Sequence, residues 1–279
     1  MTRAMSSIHF LIASCIATLA ALGVIAVKRN APDMPITISF KARVGDKAFA
    51  CGNSYDSWTP TDLRLFVSDL RLISESGNEQ PLVLDEDGQW QGQGVAMLDF
   101  EDGSGACLNG TAETRTIVTG RVAAGKYTGI AFSIGVPFEL NHADPSSAPA
   151  PMNVMSMQWN WRAGHKFMRF GAQTHSGNHY EIHLGSTNCE GTIGHVSRCD
   201  RPNRPHFVLN GFDPNRNVIV LDIEKLLEGL VMAAHDADGG KSGCMSGAED
   251  VGCVPVFKNL GLDLRTGDSL GLTKVFGVE

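Results

Sequence analysis

Ile36-Thr37-Ile38-Ser39-Phe40-Lys41-Ala42-Arg43-Val44 decides the fold class. Apolar side chains at 36, 38, 40, 42 and 44 alternate with polar ones, the period of a half-buried strand. Leu63-Arg64-Leu65-Phe66-Val67-Ser68-Asp69-Leu70-Arg71-Leu72-Ile73 repeats the signal. So do Thr114 to Val122, Tyr127 to Val136 and Met155 to Trp161. Lys166 to Gly171, Tyr180 to Leu184, His206 to Asn210 and Val218 to Ile223 are further strand candidates. Turn clusters such as Asp102-Gly103-Ser104-Gly105 and Asn210-Gly211-Phe212-Asp213-Pro214-Asn215 separate them. Many short strands joined by such turns predict an all-β antiparallel sandwich with long loops. Helix signals are few. Leu226, Leu227, Leu230 and Val231 mark one short helix over Ile223 to Ala234, with Asp222 as its N-cap. Thr59-Pro60-Thr61-Asp62 reads as the start of a turn of helix.

The 279 residues suffice for a full-size core, and 43% of them are hydrophobic, which excludes wholesale disorder. Lys plus Arg number 23 against 30 Asp plus Glu, a net charge of −7, with no long basic run. A nucleic-acid partner has no electrostatic footprint in such a chain. Pro137 to Pro151 and Asp236 to Gly252 are long irregular loops, the kind that carry function when they occur in compact domains.

The start of the chain differs from the rest. After Arg3, residues 10–27 are uncharged and mostly apolar, and Lys28-Arg29 stops the run. Its length lies between a signal-peptide core and a minimal membrane helix. It reads as a cleaved signal, an uncleaved tether through residues 10–27, or a lipoprotein signal around Cys15. All three export the remainder, to the periplasm or beyond. Residues 1–29 are therefore the export signal or anchor, 30–35 a linker and 36–279 the β-sandwich domain. Six cysteines then remain: Cys51, Cys107, Cys189, Cys199, Cys244 and Cys253. An even count in an exported chain suggests disulfides, in any of 15 connectivities. Local spacing favours Cys189–Cys199 and Cys244–Cys253, which leaves Cys51–Cys107. A zinc site is the competing reading, but there is no C-x-x-C pair to support it.

Common nucleotide-binding and hydrolase motifs are missing. Of nine His, seven fall between His142 and His206, with Met152, Met155, Met157 and Met168 in the same window. Imidazole and thioether together suit copper, thioether the Cu(I) state in particular. For each residue alone, a core Met or a solvated His is the simpler account. His183 alternates with Ile182 and Leu184 and so faces away from them. Trp159 and Trp161 lie two apart, on one face of their expected strand. They could form a core or a sugar-stacking platform, or be oxidised by a high-valent haem. A carbohydrate- or surface-binding sandwich and a loop-based hydrolase are the other functions weighed, and no paired carboxylates support the hydrolase.

Leu140-Asn141-His142-Ala143-Asp144-Pro145, Met157-Gln158-Trp159-Asn160-Trp161, His183-Leu184-Gly185-Ser186-Thr187-Asn188-Cys189 and Cys244-Met245-Ser246-Gly247 occur in that order. With Phe40 to Gly45 and Phe66 to Leu72 they resemble the MbnP-like proteins, also called metallo-mystery-pair four-Cys motif proteins. The resemblance runs from about Pro35 to near the C-terminus. It implies an exported, non-enzymatic copper-binding protein with a role in copper uptake or handling. It also implies a MauG-like di-haem partner of the cytochrome c peroxidase type, which oxidises a Trp to kynurenine. Carried over, the ligands are His142 and His183, the modified residue is Trp159 or Trp161, and the metal is Cu(I). The four-Cys motif is Cys189, Cys199, Cys244 and Cys253. His165 stands where the family is expected to show Tyr, and either adds a ligand or faces solvent. His175, His179 and Met157 are the next ligand candidates. With unperturbed imidazoles, copper binding is expected to weaken toward pH ~6.5. Trp161 is the favoured oxidation site, being nearer the following turn.

Overall fold

A computed structural model describes residues 33–279, apart from Pro145, Trp161, Ile193, residues 233–241 and residues 272–273. The export segment, the tether through residues 10–27 and most of the Asp236–Gly252 loop's first half lie outside the described residues.

The alternating stretches form two sheets. One runs Phe276–Val278, Ile219–Asp222, Asp33–Val44, Ile117–Ala123, Val83–Leu84. The first strand begins at Asp33, because Asp33, Met34 and Pro35 pair with Ala123, Val122 and Arg121. The other sheet runs His206–Asn210, Tyr127–Ile134, Trp58–Ser74, Met168–Thr174, His179–Leu184, Ser242–Cys244. Neighbours are mostly antiparallel. Two contacts are parallel, Asp33–Val44 with Ile219–Asp222 and His179–Leu184 with Ser242–Cys244. Phe132 and Phe207 of the second sheet meet Phe276 of the first, and Phe40 packs edge-on to Phe132 at 5.8 Å. Those rings are the middle of one continuous core.

The longest strand, Trp58–Ser74, organises the second sheet. Its first half pairs with Met168–Thr174, its second with Tyr127–Ile134, and Val95–Asp99 adds to the middle. Thr59-Pro60-Thr61-Asp62, read above as a helix start, belongs to this strand. Gly171 pairs with Asp62 and Ala172 with Pro60, so Thr61 is an extra residue in a bulge. Proline, which cannot donate to the ladder, is tolerated there. Gly171 is required opposite it, since a Cβ would sit 2.3 Å from Thr61 Oγ1. A second bulge carries Asp69 at φ +55° where the strand changes partners.

There are three short helices among the described residues rather than one: Phe138–Asn141, Ile223–Leu226 and Cys253–Asn259. Asp222 caps the second as expected, its Oδ1 accepting from Lys225 N at 3.2 Å. That helix stops at Leu226, well short of Ala234, and Gly229 follows at φ +77°. Among the described residues no helix is long and apolar enough to cross a membrane.

All six cysteines pair as local spacing favoured, in Cys51–Cys107, Cys189–Cys199 and Cys244–Cys253. Loop-closure entropy ranks them. Cys51–Cys107 closes 56 residues and should contribute about 4 kcal/mol, against about 3 kcal/mol for the 10 residues of Cys189–Cys199. Denaturant midpoints of the Cys51→Ser/Cys107→Ser and Cys189→Ser/Cys199→Ser proteins should follow that order. The reverse order would show that loop length does not set the difference.

Candidate metal centre

Residues 152–165 lie over one face of the sheet built on Trp58–Ser74, where Ser156 meets Arg64 and His165 packs on Phe66. Trp58–Ser74 is therefore buried on both faces at its centre, from Asp62 to Leu70 apart from the exposed Asp69. The covering segment is less regular than the expected strand over Met155 to Trp161. Met155–Met157 is a 3-10 turn and only Gln158–Asn160 is extended. Three cations bend it. Lys166 Nζ and Arg169 Nη1 donate to the Ser156 carbonyl at 3.1 and 3.2 Å, and Arg64 Nη1 donates to Ser156 Oγ at 3.0 Å. Asn160 Oδ1 then accepts from the amides of Arg162 and Ala163, which ends the extended piece.

This turn delivers Trp159 to His183. The rings meet edge to face, with centroids 6.2 Å apart. Gly185 makes the room, for a Cβ there would lie 3.0 Å from Trp159 Cζ3. Trp161 lies outside the described residues.

His183 ends a polar row across three strands. It pairs with Arg169, which pairs with Arg64. Asp62 grips Arg64 through both oxygens and reaches Arg169 Nη2 at 3.0 Å. Glu181 Oε2 stands 3.8 Å from His183 Nε2. Burial pushes the His183 imidazole down to about 4, Glu181 resists, and Lys166 and Arg169 push the same way as burial. His183 is therefore neutral and able to ligate well below pH 6.5. That replaces the sequence-based expectation for this residue. The cations and carboxylates around it carry no motif. Their only sequence trace is period-2 spacing, Glu181 with His183 and Asp62 with Arg64.

His142 follows the Phe138–Asn141 helix. Its Nε2 lies 3.3 Å from Cys199 Sγ and 3.3 Å from Asn141 Nδ2. Asn141 Nδ2 reaches Ser186 Oγ at 3.4 Å, one residue beyond the Gly185 that supports Trp159. His142 and the Trp159–His183 pair are thus connected at one end of the sheet through Asn141 and the 184–186 turn.

His165 was expected to add a ligand or face solvent, and it does neither. It is fully buried. Its Nδ1 lies 3.0 Å from the Asn141 carbonyl, its Nε2 lies 2.9 Å from the Met152 carbonyl and also meets the Gln158 amide, and its ring packs edge-on to Phe66. It is a strut between the end of the Phe138–Asn141 helix and the covering segment. Met157, Met152 and Met168 are core residues, whereas Met155 is exposed. His175 and His179 are exposed at the opposite end of their hairpin from His183. Among the described residues, three clusters group His, Cys or acidic atoms within metal-binding distance: His142 with Cys189 and Cys199, Glu101 with Cys51 and Cys107, and Asp250 with Cys244 and Cys253. Each holds its sulfurs in a disulfide, so none is a thiolate site as it stands.

Behind Arg64 lie Asp99 and Glu101. Burial raises Asp99 to about 7, and Glu101 adds to the rise. The folded state then holds this proton more tightly than the unfolded chain. Stability from it is present in acid and is lost as pH climbs from ~4 through about 7. Asp99→Asn keeps the acceptor for Glu101 N (3.1 Å in the parent) and removes the titration. It should stabilise the protein at pH 8 by on the order of 2 kcal/mol, with the gain shrinking as pH falls and vanishing near pH ~4. Melting temperatures that differ equally at both pH values would count against it.

No curated protein matches the chain. A solved structure, MbnP from Methylosinus trichosporium, matches with a TM-score of 0.77 and 28% identity, covering 88% of this chain and 98% of its own. The model of the MbnP family matches residues 33–246. That span includes His142, Trp159, His183 and the covering segment, and the chain belongs to the MbnP family.

Proposed function

We propose that this chain is an exported Cu(I)-binding protein, itself the substrate of a MauG-like di-haem enzyme rather than a catalyst, and that it serves copper uptake or handling. In this reading Trp159 is oxidised to kynurenine, and the product joins His183 and His142 around the metal. The carrying observation is the contact of Trp159 with a buried, neutral His183. Indole offers a cation no in-plane lone pair. Kynurenine supplies an aniline nitrogen and a ketone at the same place. Two imidazoles and one such donor suit a soft, three-coordinate cation. Glu181 and Asp62 offset the positive charge of Lys166 and Arg169 nearby. The sugar-platform reading needs an open ring face on Trp159, which instead is half-buried against Gly185 and His183.

Peptide mass spectrometry after co-expression with the di-haem partner tests this. The peptide should lose one carbon and gain one oxygen at Trp159, in the parent and in Trp161→Phe, but not in Trp159→Phe. Modification at Trp161 alone would move the assignment. Two intact indoles beside an active partner would sink the reading.

A further inference from the structure

Three bridges staple this chain, and they differ in access. Cys51, Cys107, Cys244 and Cys253 are fully buried. Cys189 is mostly buried but Cys199 is only half-buried, on a hairpin whose strands Thr187–Thr192 and His195–Arg201 are largely exposed, so this bridge is the most accessible of the three. Exposed bridges are the labile ones in thiol–disulfide exchange. Cys189 and Cys199 also stand directly opposite each other in the hairpin ladder. The Glu190–Arg198 ion pair at 2.7 Å and the Arg201 to Thr187 hydrogen bond at 2.8 Å hold that ladder independently of the sulfurs. Breaking the bond therefore leaves two thiols facing each other. His142 Nε2 is 3.3 Å from Cys199 Sγ, and its ligand nitrogen and both sulfurs lie within 4.8 Å of one another.

We infer that reduction of Cys189–Cys199 by an external dithiol creates a second Cu(I) site, built from the two thiolates and the His142 imidazole. A thiolate of the reductant attacks one sulfur, the Cys189–Cys199 bond breaks, and the reductant's second thiol resolves the mixed disulfide. The reductant leaves as its own disulfide, and two electrons and two protons pass to the protein. Copper keeps its oxidation state and displaces the two thiol protons on binding. Two thiolates and one imidazole make a soft, three-coordinate set, whereas structural zinc asks for a fourth protein ligand. The buried clusters at Cys51–Cys107 and Cys244–Cys253 offer carboxylates as third donor, a harder choice. Because His142 belongs to both sets, reduction of the bridge draws it from the Trp159–His183 side to the cysteine side. The redox state of one hairpin then sets which donors hold copper.

The test uses the full exported chain carrying Trp159→Phe and His183→Ala, so the outcome is separate from the fate of the kynurenine site. The protein is treated anaerobically with dithiothreitol, freed of it, and titrated with Cu(I) against bicinchoninate. The oxidised form should bind no copper and the reduced form one equivalent. X-ray absorption should then show copper–sulfur scattering, and bound copper should protect Cys189 and Cys199 from alkylation. Without copper these two should alkylate before the other four. Adding Cys189→Ser and Cys199→Ser should abolish the binding. The unsubstituted chain is run in parallel, so that loss of fold in the combined variant is not mistaken for loss of the site. There too, copper–sulfur scattering must appear only after reduction. Earlier reduction of either buried bridge, or copper bound by the reduced protein without sulfur scattering, overturns the inference.

Discussion

Made alongside the proposed di-haem partner, the His183→Ala protein should bind Cu(I) about 100-fold more weakly than the parent, and His142→Ala should show a loss of the same order. Competition titration reads both. Removal of outer-shell partners alone typically costs ~10–100-fold in metal affinity, so loss of a ligand should reach at least the top of that range. His175→Ala and His179→Ala are the controls. Both side chains are exposed and remote from Trp159, and their affinities should match the parent. The pH profile adds a second readout. The His183 imidazole, depressed to about 4, stays neutral in the folded protein where an ordinary one is half protonated. Its contribution to folding is present above ~6.5 and is lost as pH falls through about 4. Copper held through His183 should accordingly persist at pH 5.5. Parent-like affinity in both His variants would remove this pair from the site.

The alternating stretches were legible because one face of each meets the other sheet. Ile36 to Val44 and Tyr180 to Leu184 read correctly for that reason. Met155 to Trp161 also alternates, yet its first half is a 3-10 turn. Local pattern there is overridden by Lys166 and Arg169 pulling on one carbonyl, cations that arrive from later in the chain. Thr59-Pro60-Thr61-Asp62 misled in the same way, since a bulge opposite Gly171 absorbs the proline. Among the candidate ligands, the His window, His183 and the Trp159/Trp161 pair stood out by residue type and spacing, whereas their joint role came only from the family motifs. The depression of His183 was not visible at all. It depends on burial and on Arg169 directly across the ladder, and register is a property of pairing rather than of sequence. His165 shows the converse. An imidazole in a His-rich window looks like a ligand until its two nitrogens are traced to the Asn141 and Met152 carbonyls and the Gln158 amide.

Asp62 is where the fold and the site should fail together. Its two oxygens hold Arg64 in a forked pair at 2.6 and 2.9 Å, Oδ2 also reaches Arg169, and Asp62 and Arg64 are both buried. Asp62→Ala leaves two guanidinium groups facing a site that has lost its charge. Breaking a buried pair in this way costs about 3–5 kcal/mol. Asp62→Asn preserves the shape and one acceptor, so its cost should be smaller. The same guanidiniums donate to Ser156, so their rearrangement should release the Met155–Met157 turn that delivers Trp159 to His183. Loss of stability and loss of copper affinity should therefore appear in the same variant, although Asp62 is not a proposed copper ligand. Urea midpoints, with copper titration well below the midpoint, separate the two effects. Weakened copper binding in conditions where Asp62→Ala is still fully folded would show that the ion pair positions the Trp159 segment. A fully folded Asp62→Ala protein with parent-like affinity would show that the covering segment is held by its Met152 and Met157 packing alone.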